Sequence, residues 1–574
     1  MSLLLITLLA AAVLLIAYRF YGNLLARLLR LDPDRQTPAV GLRDDVDYVP
    51  IDRRFLLGQH FSAIAAAGPI VGPILAGVMF GWLPALLWIL VGAIFVGGVH
   101  DITALVASIR HRARSIAEVV REHMTRRSYV LFLAFIWLAL VYIIVAFADI
   151  TASSFVGNVT LESGQVVRGG GIATSSLLYL ALPIVMGLLL KFARLPLWLA
   201  TLGFLPLVGV AIWVGQYMPF DVARLLGVET AAAQRIWSAA LLGYCYVASI
   251  VPMWLLLQPR GHLGGYFLYF SLAGAGLGLL LGGKSVQYPH FLGWSTAAGQ
   301  TLFPLLFVTV ACGACSGFHA LVASGTTSKQ LRRETDAKLI GYGAMLLEGL
   351  VAVVSLGCVM MLAADSPLVQ KGPNFLYASG IGSFLEVVGI PAALGVSFGL
   401  MAFTTFVYDT LDVCTRLGRY VLEELLGTHG RVGRTVAAAL TAGVPLYFLL
   451  SEPTDASGKL VPVWRVFWDL FGASNQLLAA LTLLGVTVWL WRTRRSRWVC
   501  VVTGLPATWM YVMSSWALLR LVGVHFARGL TANAVPWVAL VLIGLALLML
   551  VEAVRVFAGA RPRRPESVEP VPVS

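Results

Sequence analysis

The chain has 574 residues, 59% of them hydrophobic and only 12% charged, with a mean hydropathy of +0.84. A soluble globule of this length cannot hide so much apolar surface, so lipid must solvate much of it, which excludes a nucleic-acid binder and an ordinary soluble enzyme. The net charge of +13 comes mostly from arginines between apolar runs and reads as a topology signal.

Fifteen apolar runs, each read as long enough to cross a bilayer, follow one another along the chain. They lie near 3–21, 60–80, 83–107, 128–152, 173–190, 195–215, 236–257, 264–283, 301–323, 338–363, 384–408, 434–450, 466–491, 498–522 and 535–557. Their length and continuity predict helices, since barrel strands are about ten residues long and alternate. The fold class predicted is an all-α polytopic membrane protein with about 15 transmembrane helices. The first run has no basic stretch before it, and Tyr18-Arg19-Phe20-Tyr21 offers no small-residue cleavage site. It reads as an anchor with its N-terminus outside and its C-terminal end in the cytoplasm. Continuing the alternation puts 31 of the 41 Lys and Arg in cytoplasmic loops, 8 in external loops and the C-terminus inside. Arg110, Arg112, Arg114, Arg121, Arg126, Arg127, Lys329, Arg332, Arg333, Arg492, Arg494 and Arg495 are among the inner set.

After the polar stretch 22–59, the second run opens with His60 and carries Gly68-Pro69 and Gly72-Pro73. Each proline removes a backbone donor and disfavours helix at the residue before it, so the run is predicted to unwind in mid-membrane. Such backbone is tolerated only where it is buried or lines a cavity. His60 stands at the inner end and either gates the break or marks an interface. His100 and Asp101 follow Gly97-Gly98, about nine residues before Arg110. Adjacent on a helix, they need not pair; they line an inner vestibule or make interhelical hydrogen bonds.

The ninth run is broken in its turn, by Gly313, Ser316 and Gly317, with His319 in the first turn beyond. Cys312 and Cys315 form a CxxC, but no second pair completes a metal site, so they read as small packing residues. His319 is a candidate donor to a carboxylate ligand. Glu348 lies ten residues into the tenth run, about 15 Å along a helix and near the midplane. A carboxylate at that depth is a candidate carrier of a coupling proton or a hydrogen-bonded structural group. The eleventh run carries Thr404-Thr405, with Asp409 and Asp412 near its inner end. Asp412 and Arg416 are spaced to pair on one helix face, as are Glu552 and Arg555 in the last run.

The two broken runs point in opposite directions, as in an inverted-repeat transporter that surrounds its substrate with half-helix ends. Partial positive charge at those ends suits a small anion. The predicted substrate-binding set is Gly68, Pro69, Gly72, Pro73, Gly313, Ser316, Gly317 and His319. The ion-coupling set is His100, Asp101, Glu348, Thr404, Thr405 and Asp409. The predicted organisation is 1–59 for the first helix and loop, 60–215 for the first repeat, and 216–300 for inserted helices. The second repeat is 301–491, and 492–574 holds two peripheral helices and a tail. In folds of the leucine-transporter type, paired hydroxyls on the helix equivalent to the eleventh run help hold a cation. Thr404-Thr405 resembles such a site, or else only satisfies helix carbonyls.

Four long stretches carry a resemblance. They are Gly58-Gln59-His60 through Pro73, Gly97-Gly98-Val99-His100-Asp101, Ala311 through Lys329-Gln330, and Trp468-Asp469 through Asn475-Gln476 and Leu481. Together they resemble the carbon starvation protein A (CstA) family, which includes bacterial pyruvate and peptide transporters. The resemblance implies an inner-membrane importer induced by nutrient scarcity, driven by protons, with a fold related to the amino acid–polyamine–organocation transporters. A symporter for a small carboxylate or peptide, coupled to protons or sodium, is therefore the leading function. An integral-membrane enzyme is the competing class, and no zinc-protease, nucleophile-elbow or nucleotide-binding motif supports it. No cofactor beyond the coupling ion is expected, and the partners expected are the substrate and membrane lipid.

Overall fold

The computed structural model describes every residue except 1, 45–47, 66, 161–163, 165, 298, 429, 452–460, 494–496, 530–532 and 560–574. The loop arginines Arg494 and Arg495 and the C-terminal tail lie outside the described residues. The rest is helical apart from loops and one short hairpin, β1 (Asn158–Thr160) with β2 (Val166–Arg168). The principal helices are α1 (Leu3–Leu28), α2 (Arg53–Ile64), α3 (Gly68–Phe80), α4 (Trp82–Gly92) and α5 (Gly98–Arg110). Next come α6 (Ile116–His123), α7 (Arg126–Val156), α8 (Gly169–Phe192), α9 (Leu197–Tyr217), α10 (Thr230–Ile250) and α11 (Leu257–Gly282). They continue with α12 (Leu302–Thr309), α13 (Phe318–Gly325), α14 (Ala344–Met360), α15 (Pro373–Val387) and α16 (Ala392–Leu426). The last four are α17 (Arg431–Leu449), α18 (Val463–Arg492), α19 (Arg497–Ala527) and α20 (Ala534–Gly559).

By length and composition, twelve helices among the described residues can cross a membrane, or thirteen if α2 and α3 count as one bent span. The sequence predicts about fifteen. The difference is α10, whose first turns carry Gln234 and Arg235, and the pair α12–α13, each only eight residues long. The centre of the bundle is α18, 94% buried over its most apolar stretch, together with α14 and α16. By contrast only 22% of the most apolar stretch of α19 is buried, and α1, α9 and α20 also turn leucines and valines outward, as a lipid-facing ring requires. Asp149 of α7 ties the centre together: its carboxylate accepts the Trp464 N–H at 2.8 Å, capping the N-terminus of α18.

Two predicted features need correction. The first break falls between the end of α2 at Ile64 and the start of α3 at Gly68, where the two helices meet at 48°, and Pro69 sits in the first turn of α3. Gly72-Pro73 does not interrupt the span; Pro73 lies inside α3. Gly72 instead allows close approach: a Cβ there would meet the Thr309 carbonyl at the end of α12. The run read as 384–408 is two elements. Gly389, at φ +86°, and Pro391 separate α15 from α16, which then continues for 35 residues. Asp409 is therefore mid-helix rather than near an end.

Candidate functional site

The second break is an irregular turn at residues 310–317 between α12 and α13, packed directly on the first. A Cβ on Gly68 would collide with Cys312, and Gly313 faces Pro69 and Pro73. The break is held by Asn475 of α18. Its side-chain oxygen accepts the Phe318 N–H at 3.1 Å, its amide donates to Ser316 Oγ at 3.0 Å, and its carbonyl accepts the Gly317 N–H at 3.1 Å. Gln476 donates to the Phe307 carbonyl at 3.3 Å. The first N–H groups of α13, expected to face an anion, are thus taken by protein acceptors. Ser316 and Gly317 act as the seat of α18.

Just beyond this turn, α13 brings His319 against α5 and α14. Asp101 bridges two imidazoles, accepting from His100 Nδ1 at 2.7 Å and from His319 Nδ1 at 2.8 Å. On its other edge, His319 Nε2 lies 3.2 Å from Glu348 Oε2, close but not aligned as a hydrogen bond. All four side chains are buried, and among the described residues neither Glu348 oxygen has a hydrogen-bond partner. The adjacent His100 and Asp101, read as not needing to pair, do pair. His319, read as a donor to ligand, faces carboxylates with both ring nitrogens. His60 Nδ1 bonds Thr327 Oγ1 at 2.8 Å, joining α2 to the end of α13.

A second buried cluster forms around the start of α11. Arg260, fully buried there, donates from Nε to Asp409 Oδ1 at 2.9 Å and from Nη2 to the Tyr408 carbonyl at 2.7 Å. Its Nη1 meets the Tyr244 hydroxyl and Asp412, and Tyr244 donates to Asp412 at 2.8 Å. Ser62 of α2 completes Asp409 at 2.9 Å. The predicted Asp412–Arg416 pair is absent, because Asp412 is spent on Arg260 and Arg416 donates to the carbonyls of Ala248 and Val251. Glu552 and Arg555 do pair, at 3.1 Å. Thr404 donates to the Met401 carbonyl at 3.0 Å and lies 3.5 Å from Ser176 of α8, whereas the buried Thr405 hydroxyl has no hydrogen-bond partner among the described residues. A cavity of about 40 Å³, room for a water or so, lies beside this second cluster and touches His60, Ser62, Arg260, Thr327 and Asp409.

Sequence reading missed Arg260. The stretch Gln258-Pro259-Arg260-Gly261-His262 interrupts the apolar pattern and reads as a loop. Yet a proline is tolerated in a first helical turn, where its missing donor costs nothing. Asn475 and Gln476 stand out in sequence as amides within an apolar run, and their structural role explains them.

The family model described as "Carbon starvation protein CstA" matches residues 2–367 and 362–517. The chain belongs to the CstA family. It is 31% identical to the pyruvate/proton symporter BtsT of Escherichia coli K12, over 89% of this chain and 80% of that one. It is also 31% identical to the peptide transporter CstA of Helicobacter pylori J99, over 87% and 79% of the two chains. The peptide transporter CstA of Bacillus subtilis 168 is 31% identical, over 88% of each. Among solved structures, MhsT in complex with L-phenylalanine aligns with a TM-score of 0.44 at 13% identity, over 88% of this chain and 99% of that one. A manganese transporter from Eremococcus coleocola aligns with a TM-score of 0.43 at 13% identity, over 90% and 99%. The CstA-family chain is a multi-pass membrane transporter, not an enzyme.

Proposed function

We propose that this transporter imports a small carboxylate or short peptide, with pyruvate the first candidate, across the bacterial inner membrane by proton symport. The observation that carries this reading is the buried line Asp101–His319–Glu348 beside the two breaks. With His319 protonated and both carboxylates ionised, the trio holds one excess negative charge. An uncompensated charge costs several kcal/mol to keep out of water. Closing the site therefore draws one proton onto the trio, and opening it to water on the other side releases that proton. Because α5, α13 and α14 each supply one member, a change in their packing is coupled to the proton count. The cavity at His60, Ser62, Arg260 and Asp409 is the inner end of the substrate path, closed to water size in this conformation. The names of the relatives, one a pyruvate/proton symporter and others peptide transporters, support the substrate class.

Uptake of labelled pyruvate and labelled dialanine into proteoliposomes tests the proposal. Accumulation above equilibrium is expected under an inwardly directed proton gradient, and none under a sodium gradient alone. Accumulation driven by sodium without a pH gradient overturns proton coupling.

A further inference from the structure

A second histidine pair, sharing no residue with this path, lies where α5 ends and α6 begins. The α5–α6 elbow folds back because Ser115 caps α6, accepting the Glu118 N–H at 3.3 Å. Helix α6 buries Ile116, Val119, Val120 and His123 and leaves Arg121 and Glu122 exposed. His123 thereby meets His111, the residue that ends α5. His111 Nδ1 lies 2.6 Å from the Ala107 carbonyl. A carbonyl only accepts, so Nδ1 carries the hydrogen and a neutral His111 presents a lone pair at Nε2. That lone pair points at His123 Nε2, 2.7 Å away. The two rings stand at 84° to each other, and the Glu122 carboxylate reaches them, so that one donor atom of each residue lies within 4.8 Å of the other two.

We propose that His111, His123 and Glu122 form a binding site for a divalent transition-metal ion, with Zn²⁺ the best match. Two imidazoles and one carboxylate are borderline ligands that favour zinc over magnesium or calcium. The carbonyl bonded to His111 Nδ1 fixes the ring and the tautomer that ligation needs. Tetrahedral ligation at roughly 2.0–2.1 Å sets the two nitrogens about 3.3 Å apart, so loading requires the rings to part by about 0.6 Å. Only Glu122 is exposed, and it lies on the solvent side, which leaves an entry path and a position for water. The site clips the elbow to α18, since Arg492 donates to the His123 carbonyl at 2.7 Å and Trp489 packs edge-on to His111. It lies outside the proton line and does not depend on the proposed substrate or coupling ion.

The test uses the full chain, purified without a histidine tag, stripped by chelator and titrated with Zn²⁺ by calorimetry. One equivalent per chain is expected, with a rise in melting temperature. His111→Gln and His123→Gln should each weaken binding at least 100-fold and abolish that rise. Glu122→Gln, a change at an exposed position that the fold tolerates, should weaken it about tenfold. Co²⁺ should give tetrahedral visible bands without a thiolate charge-transfer band, and His319→Gln should leave the titration unchanged. Absence of stoichiometric binding, a thiolate band, loss of binding in His319→Gln, or unchanged affinity in Glu122→Gln would each overturn the site.

Discussion

Asp101 and Glu348 are both buried carboxylates beside His319, yet their surroundings differ in a way that separates stability from coupling. Asp101 accepts from two imidazoles, at 2.7 and 2.8 Å, whereas Glu348 accepts no hydrogen bond from the described residues. Asp101→Asn strands buried donors and is expected to destabilise the protein by about 3–5 kcal/mol, the usual cost of breaking a buried pair. Glu348→Gln removes a charge without removing a hydrogen bond. Its melting temperature should stay within a few degrees of wild type, while pH-driven accumulation disappears and substrate exchange across the bilayer persists. Equal loss of stability in both variants would show that Glu348 is merely structural. The three members of this line were legible because each is polar within an apolar run, where polar groups are expensive. Their mutual geometry was not, since it depends on three helices far apart in sequence. Arg260 was invisible for the opposite reason: its polar neighbours disguise the first turn of a helix as a loop.

At the scale of elements, the breaks were legible from Gly-Pro and Ser-Gly in apolar runs, but what fills them was not. The second break is seated on α18 rather than open to ligand, and tight packing at Gly317 shows how closely. A Cβ at Gly317 would stand 2.5 Å from Asn475 O and Ala479 N, both backbone atoms in a helix that has no room to give. Gly317→Ala is expected to cost about 1–3 kcal/mol by overpacking, read as a lower melting temperature. If this seat also sets the position of His319, the same variant will lose pH-driven uptake faster than it loses folded protein. Pro73 teaches the converse lesson. It stays helical although it gives up the hydrogen bond a donor there would make to the Pro69 carbonyl, and the end of α12 packs against its neighbour Gly72.

At the scale of the whole molecule, the alternation of basic loops makes the arrangement of the termini a physical expectation. It rests on parity, and α15 is the element that threatens it, because a further crossing would put both termini on one side. The contacts of α15 argue against a crossing. Near its start, Asn374 donates to Ser154 at 2.8 Å, close to the C-terminal end of α7. Near its end, Ser383 accepts from Lys284 at 2.7 Å, just past the C-terminal end of α11. With α10 crossing, as the loop charges predict, α7 and α11 run in the same direction, both ends of α15 lie on one face, and α16 starts back from there. On that expectation the short helix lies across the outer mouth of the bundle and the number of crossings is odd. The expected outcome is an external N-terminus and a cytoplasmic C-terminus. A green fluorescent protein fused after the last residue should fluoresce, and a cysteine introduced at Ser2 should react with an impermeant maleimide added to intact spheroplasts. A C-terminal fusion that is dark while a C-terminal alkaline phosphatase fusion is active would reverse the orientation. If instead both termini proved cytoplasmic, the parity would be wrong, and α15 would be the first element to re-examine as a crossing.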